Sequence, residues 1–280
     1  MADRTSSFPP EPDVDDVCAL PLVRRVAALL DQEPDDWRVG MALPRGWEFI
    51  LFGATTRQSE LAHDGHSLPP PPFADGQPTK VMLGGRRFRF HAPIPVGAAV
   101  RRSSMIAAVN RKEGRAGAMT IVTRLYRTTL AAGGALAMEE EEDMVYRAVD
   151  QGVSRKGAEA APPPTSRPAD AECPYRADET MLFRYSALGN NAHRIHYDQR
   201  FATEVEGWPG LVVNGGLTSL MLVELFRAHV GREPVSIATR MMRPLFCGSS
   251  NMLRIAAVGD GWRAWAENER GEEAGEAMIA

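Results

Sequence analysis

Two nine-residue segments of this chain share arginine, proline and glycine at one constant offset. Arg89-Phe-His-Ala-Pro93-Ile-Pro-Val-Gly97 and Arg240-Met-Met-Arg-Pro244-Leu-Phe-Cys-Gly248 lie 151 positions apart, and each closes a strand-length run and opens a turn. Such a repeat predicts an internally duplicated chain whose two halves pack as a pseudo-dimer. Between the halves, residues 151–177 hold Pro162, Pro163, Pro164, Pro168 and Pro174 among small polar side chains, which is linker composition. At 280 residues the chain has room for two cores of ordinary size.

The first half, residues 45–150, reads as an antiparallel meander. Val81–His91, Ala99–Asn110, Ala118–Leu130 and Ala135–Arg147 are strand-length runs, separated by turns at Gly114, Gly117, Gly133 and Gly134. Ahead of it, residues 1–44 comprise a lead, disordered over 1–15, and an amphipathic helix over Val17–Gln32. The run Pro69–Phe73 predicts irregular structure, because proline has no N–H to donate. The five acids Glu139–Asp143 predict an exposed strand face and turn.

The second half, residues 178–280, has a different order: a loop carrying histidines, one helix over Gly215–Val230, then strand runs Val235–Leu245, Asn251–Val258, Arg263–Glu269 and Glu273–Ile279. Asn214 is placed to cap the helix and Gly231 to close it. Leu217, Leu220, Met221, Leu225 and Phe226 form its apolar stripe. So apolar a helix is expected to be wrapped by the sheet, which gives an α+β fold class.

A formal charge of −4 argues against a broad attraction to nucleic acid or anionic lipid, and no stretch has the roughly 20 apolar residues of a membrane span. The three cysteines, Cys18, Cys173 and Cys247, are odd in number and have no partner at metal-ligand spacing. Together with a start that lacks signal-peptide character, they predict a cytoplasmic protein with reduced thiols, no membrane, no nucleic acid and no metal. Phosphate-binding glycine motifs and Gly-x-Ser-x-Gly elbows do not occur.

Chemistry concentrates in one stretch. Phe183-Arg-Tyr-Ser-Ala-Leu-Gly-Asn-Asn-Ala-His-Arg-Ile-His-Tyr-Asp198 is followed by Gly207-Trp-Pro-Gly-Leu-Val-Val-Asn-Gly-Gly216 and the helix. A histidine ahead of a glycine-opened helix supplies a base that titrates near neutrality and backbone N–H groups for a developing oxyanion, the two parts enolate chemistry needs.

Leu182–Ala187, Asn191–Asp198 and Gly210-Leu-Val-Val, with the helix after them, resemble the MaoC-like double hot-dog hydratases and dehydratases. Within that group the chain is most similar to the branch of hydroxyacyl-thioester dehydratase type 2 and the mesaconyl-CoA and itaconyl-CoA hydratases. Arg57–His66, Gly84–Pro93 and Asp143–Arg147 are similar to the N-terminal half of those proteins. The resemblance covers about residues 45–280. It implies two antiparallel sheets, each wrapping a helix, packed as an internal pseudo-dimer, with a degenerate first half shaping a tunnel for the acyl chain.

It also implies hydration, or the reverse, at the C2=C3 bond of an enoyl thioester carried by coenzyme A or acyl carrier protein, with no cofactor. His196 is then the acid and base, and Gly215, helped by Gly216, is the oxyanion donor. The wider group begins its motif with aspartate. Asn191 stands there in this chain, and an amide orients water where a carboxylate can take its proton. His193 is expected to orient the loop or touch substrate, and Tyr185, in the same matched segment, to bind substrate. Asp198 caps the following turn or tunes His196. Arg184, Arg194 and Arg240 are candidates for coenzyme A phosphates or a substrate carboxylate, and Met241, Met242, Leu245 and Phe246 for core or tunnel wall. An acyl-CoA thioesterase and a non-catalytic acyl-thioester binding protein are the alternative functions. Homo-oligomerisation stays open, because duplication already supplies the pairing of halves.

Overall fold

The strand-length runs become strands close to their expected bounds. β1 (Glu11–Val17), β2 (Thr79–Phe90), β3 (Ala99–Gly114), β4 (Gly117–Leu130) and β5 (Leu136–Ala148) belong to the first half. β6 (Ala171–Tyr175), β7 (Ser236–Met241), β8 (Asn251–Val258), β9 (Gly261–Glu267) and β10 (Glu273–Ile279) belong to the second. Alternation sets their faces: along β8, Asn251, Leu253 and Ile255 are buried and the residues between them are not. The computed structural model describes residues 11–67, 79–114, 117–148 and 168–280. The lead through residue 10, the proline run Pro69–Phe73, the tip of the turn between Gly114 and Gly117, and most of the linker lie outside the described residues.

All ten strands form one sheet in the order β1-β3-β4-β5-β2-β7-β10-β9-β8-β6. Each half places its first strand at an outer edge, and the halves meet where β2 pairs antiparallel with β7. In that pairing Arg87 faces Ala238. These two residues are themselves 151 positions apart, so a local two-fold axis runs through the pair and the junction is isologous, as in a symmetric dimer. The duplication is therefore built as two antiparallel half-sheets joined edge to edge into one continuous sheet, in which the edge strands left open by each half satisfy each other.

Among the described residues three α-helices accompany the sheet: α1 (Leu20–Leu29), α2 (Glu179–Leu188) and α3 (Gly215–Val230). α3 lies against β8, β9 and β10 and buries Leu217, Leu220, Leu222, Val223 and Phe226. Gly231, at φ 73°, ends it and donates its N–H to Arg227 O at 3.0 Å. The first half differs. Between α1 and β2 the described residues form only short 3₁₀ turns at Pro34–Asp36, Glu48–Ile50 and Gln58–Glu60, with no counterpart of α3 among them. That segment carries no helical apolar stripe. The inner face of the first half-sheet keeps a small apolar cluster of Ile106, Val122, Met144 and Tyr146 and otherwise opens into a cavity.

Several expectations are revised locally. Glu11–Val17, read in part as disordered lead, pairs with β3, where Asp15 meets Arg101. Ala171–Tyr175, read as linker, pairs with β8; an edge strand tolerates Pro174. Glu179–Leu188, read as part of a loop, is helical and capped by Asp178, whose Oδ1 accepts from Met181 N–H at 2.8 Å. The acidic run lies within β5, away from any turn. Glu139, Glu141 and Asp143 face outward to Arg127 and Arg87, while Glu140 and Glu142 face inward and pair with Arg86. Among the described residues no helix is long and apolar enough to cross a membrane.

Candidate active site

The cavity has a volume of about 860 Å³ and spans both halves: the histidine loop, the start of α3, the β2–β7 junction and the inner face of β3, β4 and β5 line it. The loop carrying the histidines has a single short turn at Arg194–His196, and a π-helical turn follows at Phe201–Val205. It is pinned from two sides. Val212 N–H donates to Ile195 O at 3.0 Å from its own half, and Arg194 N–H donates to Asp64 O at 2.8 Å from the other. Gly65 makes the second contact feasible. At φ +86°, a Cβ there would lie 1.9 Å from the Ala192 carbonyl oxygen.

His196 is buried and lies on the cavity wall. Its Nδ1 donates to Val212 O at 2.7 Å, which fixes the tautomer and leaves Nε2 as the ring's acceptor. Burial pushes its pKa down to about 4, opposed by the Val212 bond and reinforced by the charge of His66. The imidazole is thus a neutral base at ordinary pH. Asn191 Oδ1 accepts from His193 N–H at 3.0 Å, so the amide both shapes the loop and borders the cavity.

Val212, which holds His196, stands three residues before α3. Asn214 occupies the N-cap position of that helix without capping it: its Nδ2 donates instead to Ser186 Oγ at 3.2 Å, and its buried Oδ1 has no partner. The capping expected of Asn214 is therefore corrected. The amide serves α2, and no side chain of its own covers the first turn of α3, whose Gly215 and Gly216 line the cavity. Gly215 sits against Met241 Cγ, 3.2 Å from where a Cβ would be. At Gly216 a Cβ would stand 2.2 Å from the Tyr185 hydroxyl. Tyr185 is buried, stacks on Phe49 at 4.6 Å, and has its pKa pushed up to about 12 by burial.

The remaining predicted residues separate clearly. His193 borders the cavity, its pKa pushed down to about 3 by burial and by the charges of His66 and His196. Arg194 and Asp198 pair with each other at 2.7 Å, with Asp198 Oδ1 also accepting from Phe201 N–H, and neither borders the cavity. Arg184, on α2, is not on its wall either. Arg240 alternates with Thr239 and Met241, which do line the cavity, so the pleat turns it to the exposed opposite face. Arg184, Arg194 and Arg240 therefore lie off the cavity wall, and Asp198 takes the turn-capping place expected of it, beside Arg194.

The sequence missed a group that only the docking of the halves creates. His66 stacks on His193 with ring centroids 3.7 Å apart, and its Nδ1 meets Asp64 Oδ2 at 2.9 Å. His66 holds the Asp64 carboxyl well below the usual carboxylate range. Asp64, His66 and His193 bring one ligand atom each within 4.8 Å of one another, close enough to share a cation. Separated by 127 positions, His66 and His193 show no ligand spacing in the sequence. Glu48 was missed too; its buried carboxyl, on the cavity wall, is pushed up to about 7.

Comparison with known proteins agrees with this architecture. A family model, hydroxyacyl-thioester dehydratase type 2, matches residues 46–247. The chain is 37% identical over 242 residues to a mesaconyl-C(4)-CoA hydratase of Chloroflexus aurantiacus, covering 83% of this chain and 81% of that one. Among solved structures it resembles a MaoC-like dehydratase from Phytophthora capsici, with TM-score 0.71, 15% identity, and coverage of 98% and 96%. It also resembles a Mycobacterium tuberculosis protein described as a double hotdog fold, with TM-score 0.58, 14% identity, and coverage of 96% and 92%. The structural likenesses give the double hot-dog fold. With a family model that runs through both halves and a relative at that identity, the chain belongs to the hydroxyacyl-thioester dehydratase type 2 family.

Proposed function

We propose that this protein is a hydro-lyase that reversibly adds water across the C2=C3 bond of a short enoyl thioester. One observation carries the mechanism: a neutral buried imidazole is bonded to Val212 O, three residues from the uncapped start of α3, within one cavity. The thioester oxygen accepts from the N–H of Gly215, with Gly216 beside it. Water oxygen bonds to C3 as its proton passes to His196 Nε2. The π pair moves toward the carbonyl, and the resulting enolate is held by the helix N-terminus. The imidazolium then returns the proton to C2. Asn191 orients the water and takes no proton.

The relative named mesaconyl-C(4)-CoA hydratase supports a coenzyme A thioester as substrate. The test is a panel of enoyl-CoA esters, including crotonyl, mesaconyl and itaconyl forms, followed by absorbance, mass and thiol trapping. A product heavier by one water, with activity abolished and thioester binding kept in His196→Ala, is expected. Release of free thiol instead of a hydroxyacyl thioester overturns the hydro-lyase reading, and retained turnover in His196→Ala removes that residue from the mechanism.

A further inference from the structure

The inner face of the first half-sheet carries more charge than a protein interior tolerates unpaired. Its carboxylates are accounted for. Glu142 accepts from Arg86 Nε at 3.0 Å and from the Tyr126 hydroxyl at 3.1 Å. Glu140 lies 3.3 Å from Arg86 Nε, and Glu11 pairs with Arg124 and accepts from Ser104 Oγ. Arg102 is different. Its guanidinium carbon lies 4.6 Å from the ring centroid of Phe52 and 4.9 Å from that of Tyr126, and its buried Nε has no hydrogen-bond partner. Among the described residues no carboxylate forms an ion pair with it. Phe52, Arg102 and Tyr126 all line the cavity.

A guanidinium held by two aromatic faces keeps its N–H fork for an acceptor that the described residues do not supply. We propose that Arg102, clasped by Phe52 and Tyr126, is a carboxylate-binding subsite that reads the far end of an acyl chain bearing a second carboxylate. The proposal rests on the hydro-lyase reading for the placement of the thioester. With the thioester oxygen at Gly215 and Gly216, the acyl chain leaves past Tyr185, whose hydroxyl stands over Gly216. Arg86, Tyr126 and Arg102 border the same cavity. Burial raises the carboxyl of Glu140, and the charges of Arg86 and Arg102 oppose that shift. A phosphate group of higher charge would meet Glu140 and Glu142 on the same face, which argues for the acyl end over the coenzyme as the ligand.

The test is binding, so that it does not depend on turnover. Glutaryl-CoA and valeryl-CoA have five-carbon acyl groups and differ in the terminal carboxylate; neither has a C2=C3 bond to hydrate. Calorimetry on the full chain is expected to show a preference for glutaryl-CoA of about 30-fold or more, the magnitude of a desolvated guanidinium–carboxylate contact. In Arg102→Met that ratio should collapse to about 1, since neither the bidentate geometry nor the charge remains. Among the described residues no carboxylate is ion-paired with Arg102, so its removal breaks no salt bridge there and this variant is expected to fold. Arg102→Lys decides the question alone if it does not, with the ratio falling at least about 5-fold because an ammonium cannot reproduce the fork. Equal affinities in the unaltered protein, or a preference that survives in the variants, overturns the subsite. Hydration of crotonyl-CoA is measured separately, so failure of the hydro-lyase reading and failure of the subsite give different results.

Discussion

The imidazole of His66, from the first half of the chain, lies 3.7 Å centroid to centroid from that of His193, in the second. His193 in turn meets His196 edge-on at 5.4 Å. The first half, in which no wrapped helix occurs among the described residues, therefore props the loop on which the proposed base sits. His66→Ala is expected to lower kcat by about 10-fold or more while KM changes less, as for groups that orient a site without touching substrate. Steady-state kinetics on crotonyl-CoA checks this. A kcat within about twofold of the unaltered enzyme would show that the loop holds its shape without the stack.

Buried histidines set the pH dependence. His196 titrates near 4 when folded against 6.5 in an open chain. As the base of the hydration step it stays unprotonated well below neutrality, so kcat/KM for hydration should hold its plateau down to about pH 5 and fall with a limb near 4. A limb near 6.5 would assign the step to another group. Stability follows from the same shift. Between pH 4 and 6.5 the unfolded chain binds the proton that folded His196 refuses, so this contribution is fully present above 6.5 and lost as pH falls toward 4. Its size is about 3 kcal/mol. His193 acts in the same direction. Glu48, raised from 4.5 to about 7, acts in the opposite one: its contribution is present at low pH and lost as pH rises through 7. Urea midpoints from pH 4.5 to 6.5 should therefore rise, and rise more steeply in Glu48→Gln.

Asn191→Asp keeps an acceptor for the His193 N–H and adds a negative charge beside the histidine pair. An adjacent carboxylate favours imidazolium, so the acid limb of kcat/KM should move up by about one unit. Circular dichroism should show an intact fold. An unchanged limb and rate would place residue 191 away from the reacting water.

The start of α3 offers a paired test. Gly216→Ala puts a methyl 2.2 Å from the Tyr185 hydroxyl, so the helix end or the tyrosine must move, and turnover should fall by about 100-fold. Adding Tyr185→Phe removes the clashing atom; the next contact is Cζ at 3.3 Å. The double variant should then recover thermal stability relative to Gly216→Ala. If it recovers nothing, the strain lies elsewhere.

Much of this was legible from local pattern. Alternation and glycine turns gave β2 through β5 and β7 through β10, and the apolar stripe with Gly231 gave α3 at its observed bounds. What local pattern could not show was pairing. Glu11–Val17 is mostly exposed and acidic, and it pairs with β3, where Arg101 meets Asp15, while Arg124 of β4 reaches Glu11. The acids of β5 looked uniform, yet alternation sends Glu140 and Glu142 to a buried face whose arginines come from other strands. His66 and Asp64 reach the site through a contact between halves, and Arg240 leaves it through the pleat, so neither fact is written near the residue concerned.

Among the described residues the first half shows no counterpart of α3, and this has a further consequence. In an assembly of two identical chains every substitution appears twice, so a subunit that gave up its helix to admit a larger guest would cost its twin the helix proposed to hold the oxyanion. Joining both copies in one polypeptide lifts that bond. One copy is free to become a vessel while the other stays a machine, and residues such as Arg102 can change what the vessel accepts without altering the parts that move protons.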